Sequence, residues 1–498
     1  MTQEQAEPEA AYPGAVPPPA AEPDAALELL LAPDDLLPLA RLPGIVRAAP
    51  SRATTLVWYD NADAALAEER LILLRDGRTW RMQRLEPGPE ADWPACSPVP
   101  ALGEADSPTL LAPAPPFDAA PAAAFEGRHR AYRVGPVAID VLHGALRGVV
   151  ETRPACRLLV AGPPPALEEA ITALAGLRVS VPRASFPLEA LAVARGGKVP
   201  ARHLGAPSVP AERTVSDGLA TITGHLLDVL LYWVDQFRRA QTVEAVHQGR
   251  VATRRLRSGI SLYKRTASCA ALQDAGRALR SCAARLGAAR DWDVFLDGTG
   301  AQLAERSDGD ARIDALLRAA RRRRNEMYAD LAAYLASPEF RQLELALGCA
   351  ASLRPWERGG DSASLQAPTA AFAAEMLARR FKQVRRRGPS LEALPVPALH
   401  ELRKDCKKLR YATEFFAPSF PGRETKPFLK RLAALQEELG ALNDTAVAAQ
   451  LMGQLGRTGR GYAGGVVEGW ASAAASPARK RIAKVWRRFR ATTPFWQA

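Results

Sequence analysis

The chain has 498 residues and a formal net charge of +12 at pH 7. This length is too great for one ordinary hydrophobic core and predicts about three domains. Residues 1–200 carry 18 Lys and Arg against 25 Asp and Glu, whereas residues 201–498 carry 48 against 29. The positive charge therefore lies in the second part, and its expected partner is an anion.

Targeting signals and membrane spans are not evident. The first residues, MTQEQAEPEAAYPG, have no basic region followed by an apolar core, so they do not form a secretory signal. The apolar run from His225 to Phe237 is too short to cross a bilayer and contains Asp228 and Asp235. The six cysteines form no CxxC pair and are expected to be reduced. We expect a cytoplasmic protein with no membrane partner.

The first part of the chain has mixed patterning. Residues 1–24, rich in Pro, Ala and Glu, predict a disordered tail. Residues 25–197 alternate strand-like and helical runs, which predicts an α+β domain, and RDGR at 75–78 predicts a hairpin turn. The Pro- and Ala-rich segment 86–126 predicts a long loop. The three prolines of 198–212 predict a linker to the next domain.

Residues 213–498 are dominated by Ala, Leu and Arg, with apolar positions spaced by three and four, which predicts an all-α region. The predicted helices are 214–240, 244–264, 270–287, 291–305, 311–335, 339–350, 368–386, 397–416, 424–440, 444–456 and 477–490.

A motif occurs twice in this region. HQGRVATRRLR at 247–257 and HELRKDCKKLR at 400–410 lie 153 residues apart and share the spacing of a His and four bases. Each His is followed 44 residues later by the Asp of LGAARD (Asp291) or LGALND (Asp444). We therefore predict two structural repeats, at about 213–350 and 366–498, related by a pseudo-twofold axis. Both Asp residues are predicted to cap helix starts rather than to act as catalytic acids.

On a helix, each motif has one cationic face and one apolar face. Rotation by 100° per residue places His247, Arg250, Arg254 and Arg257 together. The opposite face holds Ala252, Leu256, Gly259, Ile260 and Tyr263. The second copy repeats this pattern with His400, Arg403, Lys407 and Arg410 against Leu402, Leu409, Ala412 and Phe416.

The cationic face is interpreted as a ligand site. Residues 247–265 contain no Asp or Glu that would relieve repulsion between bases one helical turn apart. A solvated face of an Arg-rich protein explains one copy equally well, but the duplication favours a ligand. Further basic runs lie at 318–324, 379–387 and 479–490, and each of these alone is typical of a solvated helix face.

The two histidines allow several roles. Metal ligation is disfavoured, because no second His or Cys lies at ligand spacing and the flanking arginines repel a cation. A phosphorylated catalytic His stays open without support. We favour a donor to phosphate or a residue fixed by the neighbouring helix. No metal, cofactor or catalytic residue is predicted.

The motifs resemble the CHAD family, the conserved-histidine α-helical domain. The similar stretches are VHQGRVATRRLRSGISLYK at 246–264, LGAARDWDVFL at 286–296, LHELRKDCKKLRYATEFF at 399–416, LQEELGALNDTAVA at 435–448 and VWRRFRATTPFW at 485–496. The resemblance implies a pseudo-twofold pair of four-helix bundles with a basic channel that binds inorganic polyphosphate. The predicted binding residues are His247, Arg250, Arg254, Arg255, Arg257, Lys264, Arg318, Arg322, Arg379, Arg380, Lys382, Arg386, His400, Arg403, Lys407, Lys408, Arg410, Arg481, Lys484 and Arg488.

Residues 25–197 more distantly resemble the CYTH family, a triphosphate-tunnel β-barrel. Of the places of the family's acidic and basic site residues, Glu28 keeps an acid, and the others are held by Ala26, Leu30, Ile72, Leu74, Pro154, Cys156 and Leu158. Because nearly all metal-binding acids and triphosphate-binding bases are missing, we predict a degenerate, inactive domain.

The favoured function is non-catalytic polyphosphate binding, with polyphosphate granules as an expected location. The alternatives are a triphosphatase or polyphosphatase in the N-terminal domain, and nucleic-acid binding. Few aromatic residues interleave the bases, which disfavours nucleic acid. No sequence feature indicates an oligomeric state.

Overall fold

The computed structural model describes residues 25–61, 63–77, 79–85, 119–148, 151–197, 203–359, 361–387, 391, 394–421 and 425–497. The predicted tail at 1–24 and most of the predicted loop at 86–126 lie outside these ranges. Among the described helices, none combines the length and apolarity needed to cross a membrane.

The first part of the chain forms one antiparallel sheet of eight described strands. They are β1 (Ala25–Leu31), β2 (Ile45–Asn61), β3 (Leu71–Asp76), β4 (Thr79–Arg84), β5 (Ala119–Val134), β6 (Val137–Arg147), β7 (Thr152–Gly162) and β8 (Val179–Ser180). Their order across the sheet is β4-β3-β2-β5-β6-β7-β1-β8. In the described part, β4 and β8 are edges that do not pair with each other, so the predicted closed barrel is wrong.

Two local predictions in the sheet have different outcomes. The hairpin at 75–78 is confirmed, because Asp76 pairs with Thr79 and Gly77 adopts the left-handed conformation with φ +60°. The loop prediction fails over 119–126, where β5 pairs with β2 and, from Ala124 onward, also with β6. Backbone pairing with two neighbours outweighs the low strand propensity of its Ala and Pro residues.

Four helices accompany the sheet: α1 (Leu36–Ala40), α2 (Ala65–Glu68), α3 (Pro164–Leu174) and α4 (Phe186–Ala194). Leu167 of α3 shares a buried cluster with Val141 of β6, whereas Leu191 of α4 shares another with Leu146. Val141 and Leu146 are five residues apart on one strand, so their side chains point to opposite faces. The two helices therefore cover opposite sides of the sheet.

A buried ionic network joins the sheet to α4. Arg157 on β7 is 3% exposed, and its Nη1 donates to Glu28 Oε1 on β1 over 2.6 Å. Its Nη2 donates to Glu189 of α4. Burial raises the pKa of Glu28, and the Arg157 charge opposes that rise. Glu28, the one acid at a predicted tunnel position, is therefore already paired.

The second part of the chain is helical, and the prediction of an all-α region is confirmed. The helices are α5 (Val215–Ala240), α6 (Val243–Tyr263), α7 (Ala270–Phe295), α8 (Ala301–Arg306), α9 (Ala311–Ala336), α10 (Pro338–Leu353), α11 (Ser362–Gln366), α12 (Thr369–Arg387), α13 (Val396–Phe416), α14 (Thr425–Met452), α15 (Gly456–Arg460) and α16 (Tyr462–Arg490). A π-helical turn, Leu296–Gly300, joins α7 to α8.

The helices pack as two sets. In the first, α5, α6, α7 and α10 contact one another and α9 packs on α7; in the second, α12 packs on α13, α13 on α14 and α14 on α16. The sets meet where α6 contacts α13 and α7 contacts α14. Helices α6 and α13 both have 21 residues and begin 153 residues apart, the spacing of the sequence repeat. The pseudo-twofold relation between the sets stays a prediction.

Three predicted helix boundaries are wrong. Asp291 lies inside α7 and Asp444 inside α14, so neither residue caps a helix start. Pro477, the predicted first residue of a helix, lies inside α16. Tertiary packing of these long helices outweighs the weak helix propensity of the Gly residues that suggested breaks.

Gly287 shows why one of these glycines is retained within α7. A Cβ atom at this position would lie 2.7 Å from Nη1 of Arg250, so the guanidinium would have to shift to accommodate a side chain. The glycine therefore opens the surface of α7 to the Arg250 guanidinium on α6.

The sheet and the helices are in direct contact. The Val181 amide, next to β8, donates to Oε1 of the buried Glu344 on α10 over 2.7 Å. Residues 203–212 of the predicted linker form no helix or strand, yet Val209 is buried and its carbonyl accepts a hydrogen bond from Ser419. This end of the linker is thus packed against the helical region.

The Arg157 network makes a stability prediction. Replacing Arg157 by Met should leave Glu28 buried without its counter-charge, costing about 3–5 kcal/mol in unfolding free energy. Chemical denaturation followed by circular dichroism measures this loss. Arg153→Met is the control on the same strand, because its pair with Glu151 is exposed and should contribute less than about 1 kcal/mol. Equal effects of the two substitutions would contradict the prediction.

Candidate basic site between the repeats

Helices α6 and α13 place both sequence motifs at one interface. Their apolar backs are buried, with Leu256 and Leu409 both at 0% exposure. Across the interface, Nη2 of Arg255 donates to Oε2 of Glu414 over 2.8 Å. The predicted division of each helix into an apolar back and a cationic face is confirmed.

Four bases from the two motifs converge, and we call Arg250, Arg254, Arg403 and Lys407 the central cluster. Burial and then the charges of Arg254, Arg403 and Arg250, in that order, together lower the pKa of Lys407 to about 6. The same mutual repulsion acts on Arg403, whose pKa is lowered by burial and then by Arg254 and Arg250. The bases of the two repeats thus form one electrostatic site.

Two carboxylates border the central cluster. Asp291 Oδ1 lies 3.2 Å from Arg250 Nη1, and Asp444 Oδ1 lies 3.9 Å from Arg403 Nη2. Asp291 lies on α7, the long helix that follows the first motif, and Asp444 lies on α14, the long helix that follows the second motif. Sequence reasoning assigned these residues to helix caps, although their identical 44-residue interval from each His was the signal of a shared role.

Several donors of the cluster are unsatisfied. Nε of Arg254 and Nε of Arg403 are buried without a hydrogen-bond partner among the described residues. Arg250 Nη1 is within ion-pair distance of Asp291 but forms no hydrogen bond. Buried N–H groups normally have an acceptor, so these donors favour a site for an anion with several oxygen atoms.

The two histidines occupy equivalent positions with different neighbours. His247 is half-buried, and its pKa is lowered by burial and then by the charge of Arg290 on α7. His400 is exposed, and its Nδ1 lies 2.7 Å from Oδ1 of Asn443 on α14. Arg290 immediately precedes Asp291, and Asn443 immediately precedes Asp444. The sequence analysis did not assign Arg290 or Asn443 to the site. A phosphate-donor role for the histidines stays a prediction.

Other predicted binding residues have protein partners. Glu414 accepts from Arg255 and from Arg410, and Lys408 Nζ lies 3.3 Å from Asp405. The outer bases with partners are Arg379 with Glu375, Arg380 with Ser261 and Arg481 with Glu438. The remaining predicted bases are all exposed: Arg257, Lys264, Arg318, Arg322, Lys382, Arg386, Lys484 and Arg488. A polyphosphate-binding role for the bases outside the central cluster stays a prediction.

Cavities adjoin the cluster on its carboxylate side. Asp291 and Asp444 both line a cavity of about 290 Å³, together with Thr445 and Trp470. Asp291 and Arg250 line a second cavity of about 380 Å³ beside Gly287. Among the residues that the structure describes, no three His, Cys, Asp or Glu side chains are grouped to hold a metal ion.

Comparisons with known proteins place this region in a family. The family model described as "CHAD domain" matches residues 221–453. The crystal structure of the CHAD domain from the plant Ricinus communis is 30% identical, covering 60% of this chain and 98% of that chain, with a TM-score of 0.50. The chain belongs to the CHAD family. The central cluster lies within the matched CHAD region.

A second solved structure, PptA from Streptomyces chartreusis, is 20% identical and covers 55% of this chain and 99% of that chain. Its TM-score of 0.43 is too low to support an argument. A comparison with curated proteins gave no match. None of these comparisons bears on the proposed CYTH relationship of the sheet.

The charges of the central cluster predict the pH at which Lys407 titrates. In protein labelled with ¹³C-lysine, the Cε resonance of Lys407 should titrate near pH 6, because burial and three guanidinium groups disfavour the ammonium form. Arg254→Met should raise this pKa by removing repulsion, whereas Asp444→Asn should lower it by removing attraction. Lys407→Arg assigns the resonance, and an ordinary lysine pKa for Lys407 would contradict the cluster.

Proposed function

We propose that this CHAD protein binds inorganic polyphosphate without catalysing a reaction, and that the central cluster is the core of the binding site. Polyphosphate is a linear polyanion whose oxygens can accept hydrogen bonds from several arginines at once. In the cell, such binding would associate the protein with polyphosphate granules.

The observation that carries the proposal is the convergence of Arg250 and Arg254 with Arg403 and Lys407. Like charges from two repeats are held together although burial and repulsion lower the pKa values of three of them. Such an arrangement is costly in the free protein, and a bound polyanion would offset the cost. The unsatisfied guanidinium donors support the same ligand class.

Nucleic acid is a weaker candidate for this site. Non-specific binding of single strands uses aromatic side chains as exposed platforms for base stacking. Tyr411, which directly follows the second motif, is only 8% exposed, and the centre of its ring lies 5.8 Å from the Arg255 guanidinium carbon. A phosphate chain needs no such platform.

A triphosphatase in the sheet is also disfavoured. Ile72 is 0% exposed, Leu74 is 7% exposed, and Glu28 is paired with Arg157. These positions offer neither free bases for triphosphate nor free acids for a metal ion. Release of phosphate from tripolyphosphate or long-chain polyphosphate in the presence of Mg²⁺ or Mn²⁺ would contradict a purely binding role.

A competition experiment tests the ligand class. Labelled long-chain polyphosphate should bind at physiological salt, and DNA, RNA and ATP at equal phosphate concentration should fail to displace it. Affinity should fall steeply with added salt, because bound counter-ions are released from the polyanion. Displacement by nucleic acid would overturn the proposed ligand.

Charge reversal tests the site. Replacing Arg250, Arg254, Arg403 and Lys407 together by Glu should reduce polyphosphate affinity by at least about a hundredfold, because each contact becomes repulsive. Circular dichroism should show retained helix content. The control replaces four exposed arginines of the N-terminal domain, Arg41, Arg47, Arg133 and Arg195, by Glu, and so carries the same number of base-to-acid substitutions.

In the control variant, affinity should remain within about threefold of the unmodified protein, because its charges are distant and screened. If both quadruple variants lose affinity equally, net charge rather than the central cluster determines binding. If the cluster variant loses its helical signal, the single variants Arg254→Gln and Lys407→Gln provide the test through their smaller losses.

A further inference from the structure

Two carboxylates stand beside a site proposed for an anion. Asp291 and Asp444 lie on α7 and α14, each next to one arginine of the central cluster. A negative charge at this place weakens attraction for every polyanion. Their presence in both repeats therefore requires an explanation.

The two carboxylates act on the whole cluster and on each other. The pKa of Asp291 is raised by burial and by the Asp444 charge, and is lowered by Arg250 and Arg403. The pKa of Asp291 therefore depends on one arginine from each repeat. Both carboxylates also line the same cavity of about 290 Å³, so they face shared space on one side of the cluster.

Helix structure does not account for these residues. Both lie inside continuous helices, where the backbone needs no capping carboxylate. The ion pairs are also loose: Arg250 Nη1 makes no hydrogen bond to Asp291, and the Arg403–Asp444 separation is 3.9 Å. A bound phosphate group could therefore take over either arginine without breaking a well-formed hydrogen bond.

We propose that Asp291 and Asp444 determine specificity by selecting the interior units of a polyphosphate chain over its ends and over short phosphates. This inference rests on the proposed polyphosphate function. An interior unit carries one negative charge, whereas a terminal phosphate has a second ionisation near pH 6 and approaches two charges at pH 8. Repulsion from a nearby carboxylate grows with the charge of the phosphate unit.

Two exposed bases extend this selection along the polyphosphate chain. Arg257 and Lys264 continue α6 beyond Arg254, and both are exposed. At about 1.5 Å per residue, Lys264 lies about 15 Å along the helix axis from Arg254. A long polyphosphate chain can place interior units at the cluster and still reach these bases, whereas every unit of tripolyphosphate is a chain end or is bonded to two chain ends.

The test compares two ligands at pH 8 and fixed salt. Dissociation constants for tripolyphosphate and for long-chain polyphosphate are measured by calorimetry with the unmodified protein and with Asp291→Asn/Asp444→Asn. The double variant should bind both ligands more tightly, and tripolyphosphate should gain more. The dissociation constant for tripolyphosphate divided by that for long-chain polyphosphate should therefore fall by about tenfold. Each single variant should give part of the change.

Two controls isolate charge and position. Asp291→Glu/Asp444→Glu retains both charges and should keep the ratio within about threefold of the original. Asp274→Asn removes an exposed carboxylate from the same helix α7, where it pairs with Arg277, and should leave both constants unchanged.

The outcomes separate this inference from the function on which it rests. If the unmodified protein binds no polyphosphate, the proposed function fails. If the unmodified protein binds polyphosphate but the Asn variant lowers both dissociation constants by the same factor, or changes neither constant, selection by the carboxylates is overturned. Weaker binding by the Asn variant would show that the carboxylates only position the arginines, and would also overturn the inference.

Discussion

Repulsion among half-buried bases is the constraint around which the helical region is built. Arg250, Arg254, Arg403 and Lys407 face one another with little water to screen them, and Asp291 and Asp444 offset only part of the repulsion. What holds the bases together is the apolar packing behind them. Leu256 and Leu409 on the backs of α6 and α13 are fully buried, and such burial stabilises by about 1.5–3 kcal/mol per side chain.

The ion pairs of the site divide into two kinds. Arg255 on α6 and Arg410 on α13 both donate to Glu414 at normal hydrogen-bond distances, and the Arg255 bond joins the two motif helices. The bonds of Arg250 and Arg403 to their aspartates are longer or poorly directed. The same motif thus supplies residues that hold the interface and residues whose donors remain available.

Helical periodicity made the centre of the site predictable, because spacings of three and four fix which residues share a face whatever the tertiary structure. Continuity of helices was not predictable in this way: Gly287 resembled a break, but it clears space for Arg250, a contact between distant segments. Barrel closure failed for a similar reason, since it depends on pairing between the edge strands β4 and β8 rather than on any single strand. The binding role of the outer bases stays a prediction, because composition does not tell which side of a helix meets a partner.

The differences between the two motifs have a consequence for the charge of the site. Arg290 beside His247 is replaced by Asn443 beside His400, and Arg254 in the first motif corresponds to Lys407 in the second. A homodimer of the first half would contain only guanidinium groups at these positions, none of which releases its proton near neutral pH. With Lys407 in the second motif, the chain instead has one titratable amine among permanent charges.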